Sequence, residues 1–162
     1  MTVAAYPGSF DPITNGHLDI IRRASRIFER VIVAVFINIG KTPLFDVDER
    51  VAMVREAVRD LPNVEVESSS GLLVDFCRSR GVHVVVKGLR AVSDFDYEFQ
   101  MALMNKELED SVETLFMMTS TEHLFLSSSV IKEIARFGGD VRRFVPPMVF
   151  ERLQARMAKL GR

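Results

Sequence analysis

The sequence predicts an α/β fold in which a five-stranded parallel, doubly wound sheet is followed by an extra C-terminal helix. Two observations lead to this prediction. Short apolar, β-branched runs alternate along the chain with segments whose apolar residues recur at helical spacing. Most of these runs contain few polar residues, as expected of parallel strands that helices cover on both faces. We therefore predict a single Rossmann-like domain, residues 1–162, with right-handed crossovers.

Five runs are predicted to be strands, and turn or helical segments separate them. The longest apolar run, Val31–Ile39, is far too short to span a bilayer, so no membrane segment is expected. The predicted strands are Val3–Tyr6, Val31–Ile37, Val64–Glu67, Val82–Lys87 and Thr114–Thr119.

Six helices are predicted from apolar stripes and from capping residues. The stripe Leu18, Ile21, Ala24 and Phe28 defines a first helix that begins near Gly16. The remaining helices are one opened by the capping pair Asp46 and Glu49, then Leu72–Arg80, Ser93 to about Asp110, Ser129–Phe137 closed by Gly138–Gly139, and a last helix entered through Pro146–Pro147.

The composition excludes several classes of function. The chain is 48% hydrophobic and 27% charged, with a formal net charge of −1, so it has no excess of basic residues with which to coat nucleic acid. Cys77 is the only cysteine, which excludes an internal disulfide framework and fits a reducing compartment. We expect a cytoplasmic protein.

The first loop that follows a strand, "PGSFDPITNGH" from Pro7 to His17, is the most informative one. In doubly wound sheets, ligands bind outside the carboxyl ends of the strands. Gly8 and Gly16 are expected to allow a backbone conformation or a close approach that a Cβ would block, and the amides around Gly16 and His17 can face an anion. His17 could then donate to a phosphate oxygen. The alternative is a solvated first-turn histidine in a loop that glycines merely shape.

Cations stand at or after the carboxyl ends of the second and fourth predicted strands. Lys41 stands in a Gly- and Pro-containing loop, where it can reach over the sheet edge or simply be a solvated surface charge. Lys87 and Arg90 flank Gly88, and two cations there favour an anion clamp.

A run of three serines, Ser127–Ser129, follows the fifth predicted strand at the start of a helix. One serine is enough for an N-cap, whereas three hydroxyls with free backbone amides form an arrangement that can cradle phosphate. Lys132, about one turn further on, could support the same anion. A redundant cap is the alternative interpretation.

These four loops should meet at one edge of a parallel sheet. Their cations, hydroxyls and backbone amides together suit a polyphosphate substrate. The chain lacks a Walker lysine, a G-x-G-x-x-G fingerprint and a nucleophile elbow. The three histidines, His17, His83 and His123, are not at metal-ligand spacings. We therefore expect transfer at a phosphorus atom by positioning and charge stabilisation, with no metal held by the protein and Mg²⁺ brought by the nucleotide.

At these residues the sequence resembles a known superfamily. Gly8–His17 fits the pattern G-[ST]-F-D-P-x-x-x-G-H and "LSSSVIK" is similar to an ISSTxxR-like motif, which together mark the nucleotidyltransferase superfamily with a T/HxGH motif. Within it, "YPGSFDPITNGH", "KGLRAVSDFDYEFQMALMN" and "SSSVIKEIARFGGDV" resemble the bacterial phosphopantetheine adenylyltransferase family over essentially the whole chain.

The resemblance implies that the chain makes dephospho-coenzyme A and pyrophosphate from ATP and 4'-phosphopantetheine, the penultimate step of coenzyme A biosynthesis. It implies direct in-line attack, with His17 stabilising the transition state at the α-phosphate. It assigns to ATP binding Ser9, Phe10, His17, Gly88, Leu89, Arg90, Glu98, His123, Leu124, Phe125, Leu126, Ser127, Ser128 and Ser129, and to 4'-phosphopantetheine Ser9, Lys41, Leu73 and Lys87.

Some positions depart from the commonest family pattern. Lys87 stands where arginine is frequent, and it keeps the charge without the bidentate fork. His123 and Leu124 stand where an aromatic and a small polar residue are frequent, and Ser9 replaces a frequent threonine.

Members of this family are typically homohexamers, and the resemblance implies the same assembly for this chain. The apolar residues Phe99, Met101 and Met104 would then belong to an interface. A helix stripe buried in the core of one protomer is the alternative.

Two other hypotheses for the function remain open. A related enzyme could adenylylate or cytidylylate a different phosphate or polyol, such as nicotinate mononucleotide or glycerol phosphate. A nucleotide-binding module without catalysis is the second, although the presence of His17, Lys41 and the serine run argues against it.

Overall fold

The structure, a computed structural model, describes residues 2–90 and 92–161. That part of the chain contains five strands and six α-helices in alternation, with one short 3₁₀ helix at Thr121–His123. The elements are β1 Val3–Gly8, α1 Asn15–Ile27, β2 Arg30–Ile37, α2 Val47–Ala57, β3 Val64–Ser70, α3 Leu73–Arg80, β4 Val84–Leu89, α4 Val92–Leu108, β5 Glu113–Met118, α5 Ser128–Arg136 and α6 Pro147–Leu160.

The five strands form one parallel sheet in the order β3-β2-β1-β4-β5. The predicted doubly wound fold and its C-terminal helix are therefore confirmed. The direction of winding reverses beside β1, which pairs with β2 on one side and with β4 on the other. Ligands of such sheets bind where the strand order reverses, so the carboxyl ends of β1 and β4 are the place to look for a site.

Two apolar clusters cover the two faces of the sheet. Alternate residues of β1 point to opposite faces, so Tyr6 joins the larger cluster beneath α1, α2, α5 and α6, whereas Ala5 joins a smaller cluster with Phe76 and Cys77 of α3. This double cover explains why the strands are apolar with little alternation.

The ends of several elements differ from their predicted positions. β4 begins at Val84 instead of Val82 and continues through Leu89, because Gly88 and Leu89 pair with Met117 and Met118 of β5. Gly88 and Leu89 therefore extend the strand beyond Lys87, where the prediction ended it, and Arg90 is the first residue after it. Pairing with a neighbouring strand decides where a strand ends, and the sequence pattern does not contain that information.

The apolar residues of α4 are not a buried stripe. Phe99, Met101 and Met104 are 48%, 40% and 53% exposed, and Leu115 and Met118 of β5 are also exposed. The alternative that placed the α4 residues in the core of the protomer is therefore wrong. Within residues 2–90 and 92–161, no helix has the length and apolar character needed to span a membrane.

Candidate functional site

An open cavity of about 660 Å³ lies at the carboxyl ends of β1 and β4, where the strand order reverses. The structure brings together here all four loops that the sequence singled out. The cavity is lined by thirteen of the candidate residues, namely Ser9, Phe10, His17, Lys41, Lys87, Gly88, Arg90, Glu98, His123, Leu126, Ser127, Ser128 and Ser129.

Four candidate residues do not line this cavity. Leu73 begins α3 and packs against the smaller apolar cluster on the other face of the sheet. The backbone carbonyl of Leu89 accepts a hydrogen bond from the amide of Thr119, which ties the end of β4 to the segment after β5. Leu124 is exposed, and Phe125 is exposed while its ring packs edge-on against Phe144.

His17 is held by a reciprocal pair of hydrogen bonds at the start of α1. Its Nδ1 accepts from the backbone amide of Thr14 at 3.1 Å, and its own amide donates to Thr14 Oγ1 at 3.3 Å. This is a capping box in which the imidazole takes the part usually played by a glutamate or glutamine. Because Nδ1 accepts a hydrogen bond from a backbone N–H, the ring proton must lie on Nε2. His17 therefore presents one N–H donor beyond the cap.

The surroundings of His17 keep its ring neutral. Burial lowers the pKa of His17 from 6.5 to about 4, and the nearby positive charge of Arg90 acts in the same direction. Phe10 packs edge-on against the imidazole with ring centroids 5.0 Å apart. A neutral imidazole in a fixed tautomer can donate to an oxygen atom whose negative charge grows during a reaction.

The glycines of the first loop act differently from the prediction. Neither Gly8 nor Gly16 has a positive φ, whereas Phe10 does, at 49°. Gly8 is needed for space, because an added Cβ would lie 3.0 Å from the Phe10 ring. An added Cβ at Gly16 would only make ordinary contacts, the nearest at 3.4 Å. The Cβ-blocking role therefore applies to Gly8 alone.

The amides at the start of α1 also need a correction. The amide of His17 is already bonded to Thr14 Oγ1, and the amide of Asn15 donates to the Phe144 carbonyl at 2.9 Å. Among the hydrogen bonds of the described residues, none uses the amide of Gly16. Gly16 alone therefore offers the first turn of α1 to an anion.

Two cations of the cavity, Lys87 and Arg90, lie beside carboxylates from α4. Lys87 Nζ lies 3.4 Å from Glu98, and Arg90 Nε lies 3.3 Å from Asp94. Arg90 also donates to the Leu126 carbonyl, which links the loop after β4 to the segment before α5. Lys41 is exposed at the mouth of the cavity. The anion-binding groups are therefore present together before any ligand arrives.

The three serines at the start of α5 have three different environments. Ser127 is the N-cap, and its hydroxyl accepts from the Val130 amide at 3.2 Å. Ser128 donates its hydroxyl to the Pro12 carbonyl at 2.7 Å and so ties α5 to the first loop. Ser129 is exposed. In the described part of the chain no hydrogen bond uses the amides of Ser128 and Ser129, so this helix N-terminus can receive an anion.

Several residues of the site were not singled out from the sequence. Asp11, Thr14 and Arg50 line the cavity, and all three are at least nine-tenths buried. Arg50 donates to the carbonyls of Ser9, Phe36 and Phe45 and so fixes the backbone around the first two loops. The capping pattern of Thr14 was readable from the sequence, because a threonine precedes the helical stripe. The pattern of α2 gave no sign that Arg50 points inward.

The residues of the cavity suit an anionic substrate better than a metal held by the protein. Within residues 2–90 and 92–161 there is no group of three His, Cys, Asp or Glu side chains placed to hold a metal ion. The carboxylate of Asp11 already accepts from two backbone amides and from Lys132. The amides and cations that line the cavity can bind phosphates, beside the N–H donor of His17.

Comparison with known proteins gives the class of this chain. Residues 5–134 match the family model described as cytidylyltransferase-like. A crystal structure of a candidate nicotinate-nucleotide adenylyltransferase from Vibrio parahaemolyticus superposes with a TM-score of 0.66, covering 94% of this chain and 91% of that one. The two sequences are only 19% identical, so the likeness concerns the fold. The chain is a member of the cytidylyltransferase-like class.

Curated relatives narrow the assignment. A phosphopantetheine adenylyltransferase of Heliobacterium modesticaldum is 63% identical over 153 residues, which cover 94% of this chain and 91% of the relative. Proteins of the same name from Frankia casuarinae and Clostridium tetani are 62% and 56% identical, over 98% and 93% of this chain and 100% and 94% of their own lengths. The chain therefore belongs to the phosphopantetheine adenylyltransferase family and is a nucleotidyltransferase.

Proposed function

We propose that this chain transfers the adenylyl group of ATP to 4'-phosphopantetheine and releases dephospho-coenzyme A and pyrophosphate. The observation that carries the proposal is the position of His17, whose Nε2–H is held within a cavity that also contains cations and two helix N-termini. Such a cavity suits two phosphorylated substrates that must react with each other despite their charges. The names of the relatives support the choice of substrates.

The nucleotide is proposed to bind between the first loop and the start of α5. The unbonded amides of Ser128 and Ser129 and the ammonium of Lys132 would receive the β- and γ-phosphates. Arg90 and His17 line the same cavity, and the positive charge of Arg90 adds to the lowering of the pKa of the ring. The α-phosphate would therefore lie next to His17.

The phosphate of 4'-phosphopantetheine is proposed to bind between Lys41 and Lys87. Lys41 is exposed and Lys87 is half-buried at the end of β4, and both line the cavity. Lys87 must release Glu98, 3.4 Å away, or share its charge with it when a phosphate arrives. Because Leu73 packs on the other face of the sheet, its proposed contact with this substrate would need the pantetheine arm to extend past the cavity.

The proposed reaction is a single displacement at the α-phosphorus. A phosphate oxygen of 4'-phosphopantetheine forms a bond to the α-phosphorus while the bond from that atom to the bridging oxygen of the β-phosphate breaks. Pyrophosphate leaves with the electron pair of the broken bond, so no covalent intermediate with the protein forms. The Nε2–H of His17 donates to a nonbridging oxygen of the α-phosphate, where negative charge grows in the transition state.

Mg²⁺ is proposed as the cofactor, carried by the triphosphate of ATP. The cavity offers it no cage of free carboxylates in the described residues, because Asp11 is engaged and Glu98 lies beside Lys87. A nucleotide-bound ion needs no such cage and neutralises charge on the phosphates. A cytoplasmic location and the absence of nucleic-acid partners stay predictions of the sequence.

A homohexameric assembly is also proposed. The exposed apolar residues of α4 and β5 support it, because a surface with this many apolar side chains is costly in water.

The function is tested by measuring pyrophosphate release from ATP with three separate acceptors, namely 4'-phosphopantetheine, nicotinate mononucleotide and glycerol phosphate. We expect release with 4'-phosphopantetheine alone, and a product with the mass of dephospho-coenzyme A. Replacing ATP by CTP should abolish the signal.

The other outcomes would reject the proposal in different ways. Release with another acceptor or with CTP would identify a related transferase. ATP binding without release for any acceptor would indicate a binding module without catalysis.

A further inference from the structure

Asp11 is a buried carboxylate in a cavity suited to anions. It is 5% exposed and lines the cavity that we assign to two phosphorylated substrates. A negative charge in this position repels phosphates, and burying it costs free energy unless hydrogen bonds compensate. Its presence therefore calls for a specific role.

The two oxygens of Asp11 hold a backbone segment of the second loop. Oδ2 accepts from the Leu44 amide at 2.8 Å, and Oδ1 accepts from the Phe45 amide at 2.9 Å. The carbonyls of the same two residues accept from Arg156 and Arg50. Each backbone polar group of residues 44–45 therefore has a side-chain partner, and Asp11 satisfies both donors. Lys41 lies only three residues before this fixed segment.

Asp11 also holds a cation on the opposite side of the cavity. Lys132 Nζ of α5 donates to Asp11 Oδ2 at 2.9 Å. An ammonium group has three donors, and this is the one hydrogen bond of Lys132 recorded among the described residues. Its side chain is 28% exposed and lines the cavity, so its other protons can reach a phosphate placed at the start of α5.

We propose that Asp11 is a positioning residue that fixes Lys132 on the nucleotide side of the cavity and the Lys41 segment on the acceptor side; this rests on the proposed function. One carboxylate thereby sets the distance between the groups that hold the two substrates. Misplacing reacting groups by about 1 Å can cost on the order of a hundredfold in rate, so this link bears directly on turnover.

Two double-mutant cycles test the proposal. The first combines Asp11→Asn with Lys132→Gln and measures kcat/KM for ATP and the dissociation constant of ATP. The second combines Asp11→Asn with Lys41→Gln and measures kcat/KM for 4'-phosphopantetheine. We expect each single substitution to lower the relevant value about tenfold and each double substitution to lower it no more than about threefold further, because the partners act through one another.

Asp46→Ala is the matched control. It removes the N-cap of α2 next to the same segment, and among the described residues no hydrogen bond or ion pair joins Asp46 to Lys132. The fold-changes in kcat/KM for ATP caused by Asp46→Ala and by Lys132→Gln should therefore multiply in the double variant. Full multiplication of effects in both Asp11 cycles would overturn the proposal, because it would leave Asp11 with a general role in stability only.

Amide hydrogen exchange gives a readout that does not depend on turnover. In Asp11→Asn the amides of Leu44 and Phe45 should exchange at least tenfold faster, while the amide of Val33 in β2 keeps its protection. If Asp11→Asn does not fold, two variants of Lys132 still test the proposal. Lys132→Arg should bind ATP within about threefold of wild type, whereas Lys132→Gln should bind ATP about tenfold more weakly. Equal ATP binding by both would overturn the proposal.

Failure of this inference can be distinguished from failure of the proposed function. If the wild-type chain releases no pyrophosphate with 4'-phosphopantetheine, the proposed function is wrong, but ATP binding and amide exchange still report on Asp11. If the wild-type chain is active and the cycles show no coupling, the inference about Asp11 is wrong alone.

Discussion

His17 combines a structural contact and a chemical one in a single ring. Its Nδ1 closes the capping box with Thr14, which leaves the proton on Nε2, and burial keeps the ring uncharged by lowering its pKa to about 4. The neutral imidazole offers one N–H donor, and its hydrogen bond strengthens as negative charge grows on the acceptor oxygen during the reaction. The same environment that fixes the ring therefore suits it to catalysis.

Replacing His17 tests this role directly. We expect His17→Ala to leave ATP binding within about tenfold while turnover falls by about a hundredfold or more, as expected on losing one transition-state donor. Titration calorimetry gives the affinity, and pyrophosphate release gives kcat.

His17→Gln serves as the control for folding, because glutamine at this position can still close the capping box. Its melting temperature should lie within a few degrees of that of the wild type, and its kcat should remain low. Equal losses of binding and of turnover in His17→Ala would mean that the histidine only binds ATP.

Burial of His17 also makes stability depend on pH. The pKa falls from 6.5 to about 4 on folding, so between these values the unfolded chain takes up a proton that the folded chain does not. The free energy of unfolding must therefore decrease as the pH falls through this window. His17→Gln should lack this loss of stability at lower pH. When the pH is lowered from 7 to 5, the free energy of unfolding of the variant, measured relative to wild type by urea unfolding, should therefore rise by up to about 2 kcal/mol. An unchanged difference would show that His17 is not buried as a neutral ring.

At the scale of elements, the N-termini of two helices supply hydrogen-bond donors to the cavity. α1 presents His17 and the free amide of Gly16, and α5 presents the free amides of Ser128 and Ser129. Ser128 ties the two helix starts together through the Pro12 carbonyl. The partial positive charges of both helices therefore point at one space, which favours a polyanion.

The cap of α1 should link stability to activity. Thr14→Ala removes the hydroxyl that accepts from the His17 amide and should cost about 1–2 kcal/mol in the free energy of unfolding. It should also lower kcat by about tenfold, because the first turn that carries His17 is loosened. Thr14→Ser keeps the hydroxyl and should recover most of both values. A loss of stability with kcat unchanged would contradict this prediction, because it would show that the cap does not affect catalysis.

At the scale of the whole molecule, one surface groups exposed apolar residues from two elements in contact, α4 and β5. Phe99, Met104 and Leu108 of α4 and Leu115 and Met118 of β5 are each between 47% and 63% exposed. These elements lie at one edge of the sheet, since β5 is its last strand. An apolar surface at a sheet edge favours contact with another copy of the chain.

Assembly is therefore expected to depend on this surface. Light scattering after size-exclusion chromatography should give a hexamer for the wild-type chain, whereas Met104→Lys should give a smaller species, because a buried lysine without a partner is costly. Ile27→Lys, at an exposed apolar residue at the end of α1, is the control and should leave the mass unchanged. A monomeric wild-type chain, or a hexamer that Met104→Lys does not affect, would contradict this expectation.

The local patterns of the sequence predicted much of this architecture. Apolar β-branched runs predicted all five strands, and apolar stripes together with capping residues, glycines and prolines predicted all six helices. The position of the candidate site followed from the rule that parallel strands end at one edge, which gathered Lys41, Lys87 and the serine run beside His17. Motif resemblance supplied the family, and the comparisons confirm it.

Other features depended on contacts between residues far apart in the chain. Asp11 reaches the amides of Leu44 and Phe45 and the ammonium of Lys132, more than thirty and more than a hundred residues away. The buried position of Arg50 and the exposure of α4 are of the same kind. No local pattern encodes such contacts.

The sequence by itself determined the order and type of the elements and the residue types available for phosphate chemistry. The tertiary structure alone decided that Lys87 lies beside Glu98 and Lys132 beside Asp11, and that the first turns of α1 and α5 face one cavity. The physical reason is that helical and strand periodicity is a property of residues close together in the chain, whereas these two charge pairs and the shared cavity join segments that only the folded sheet brings together.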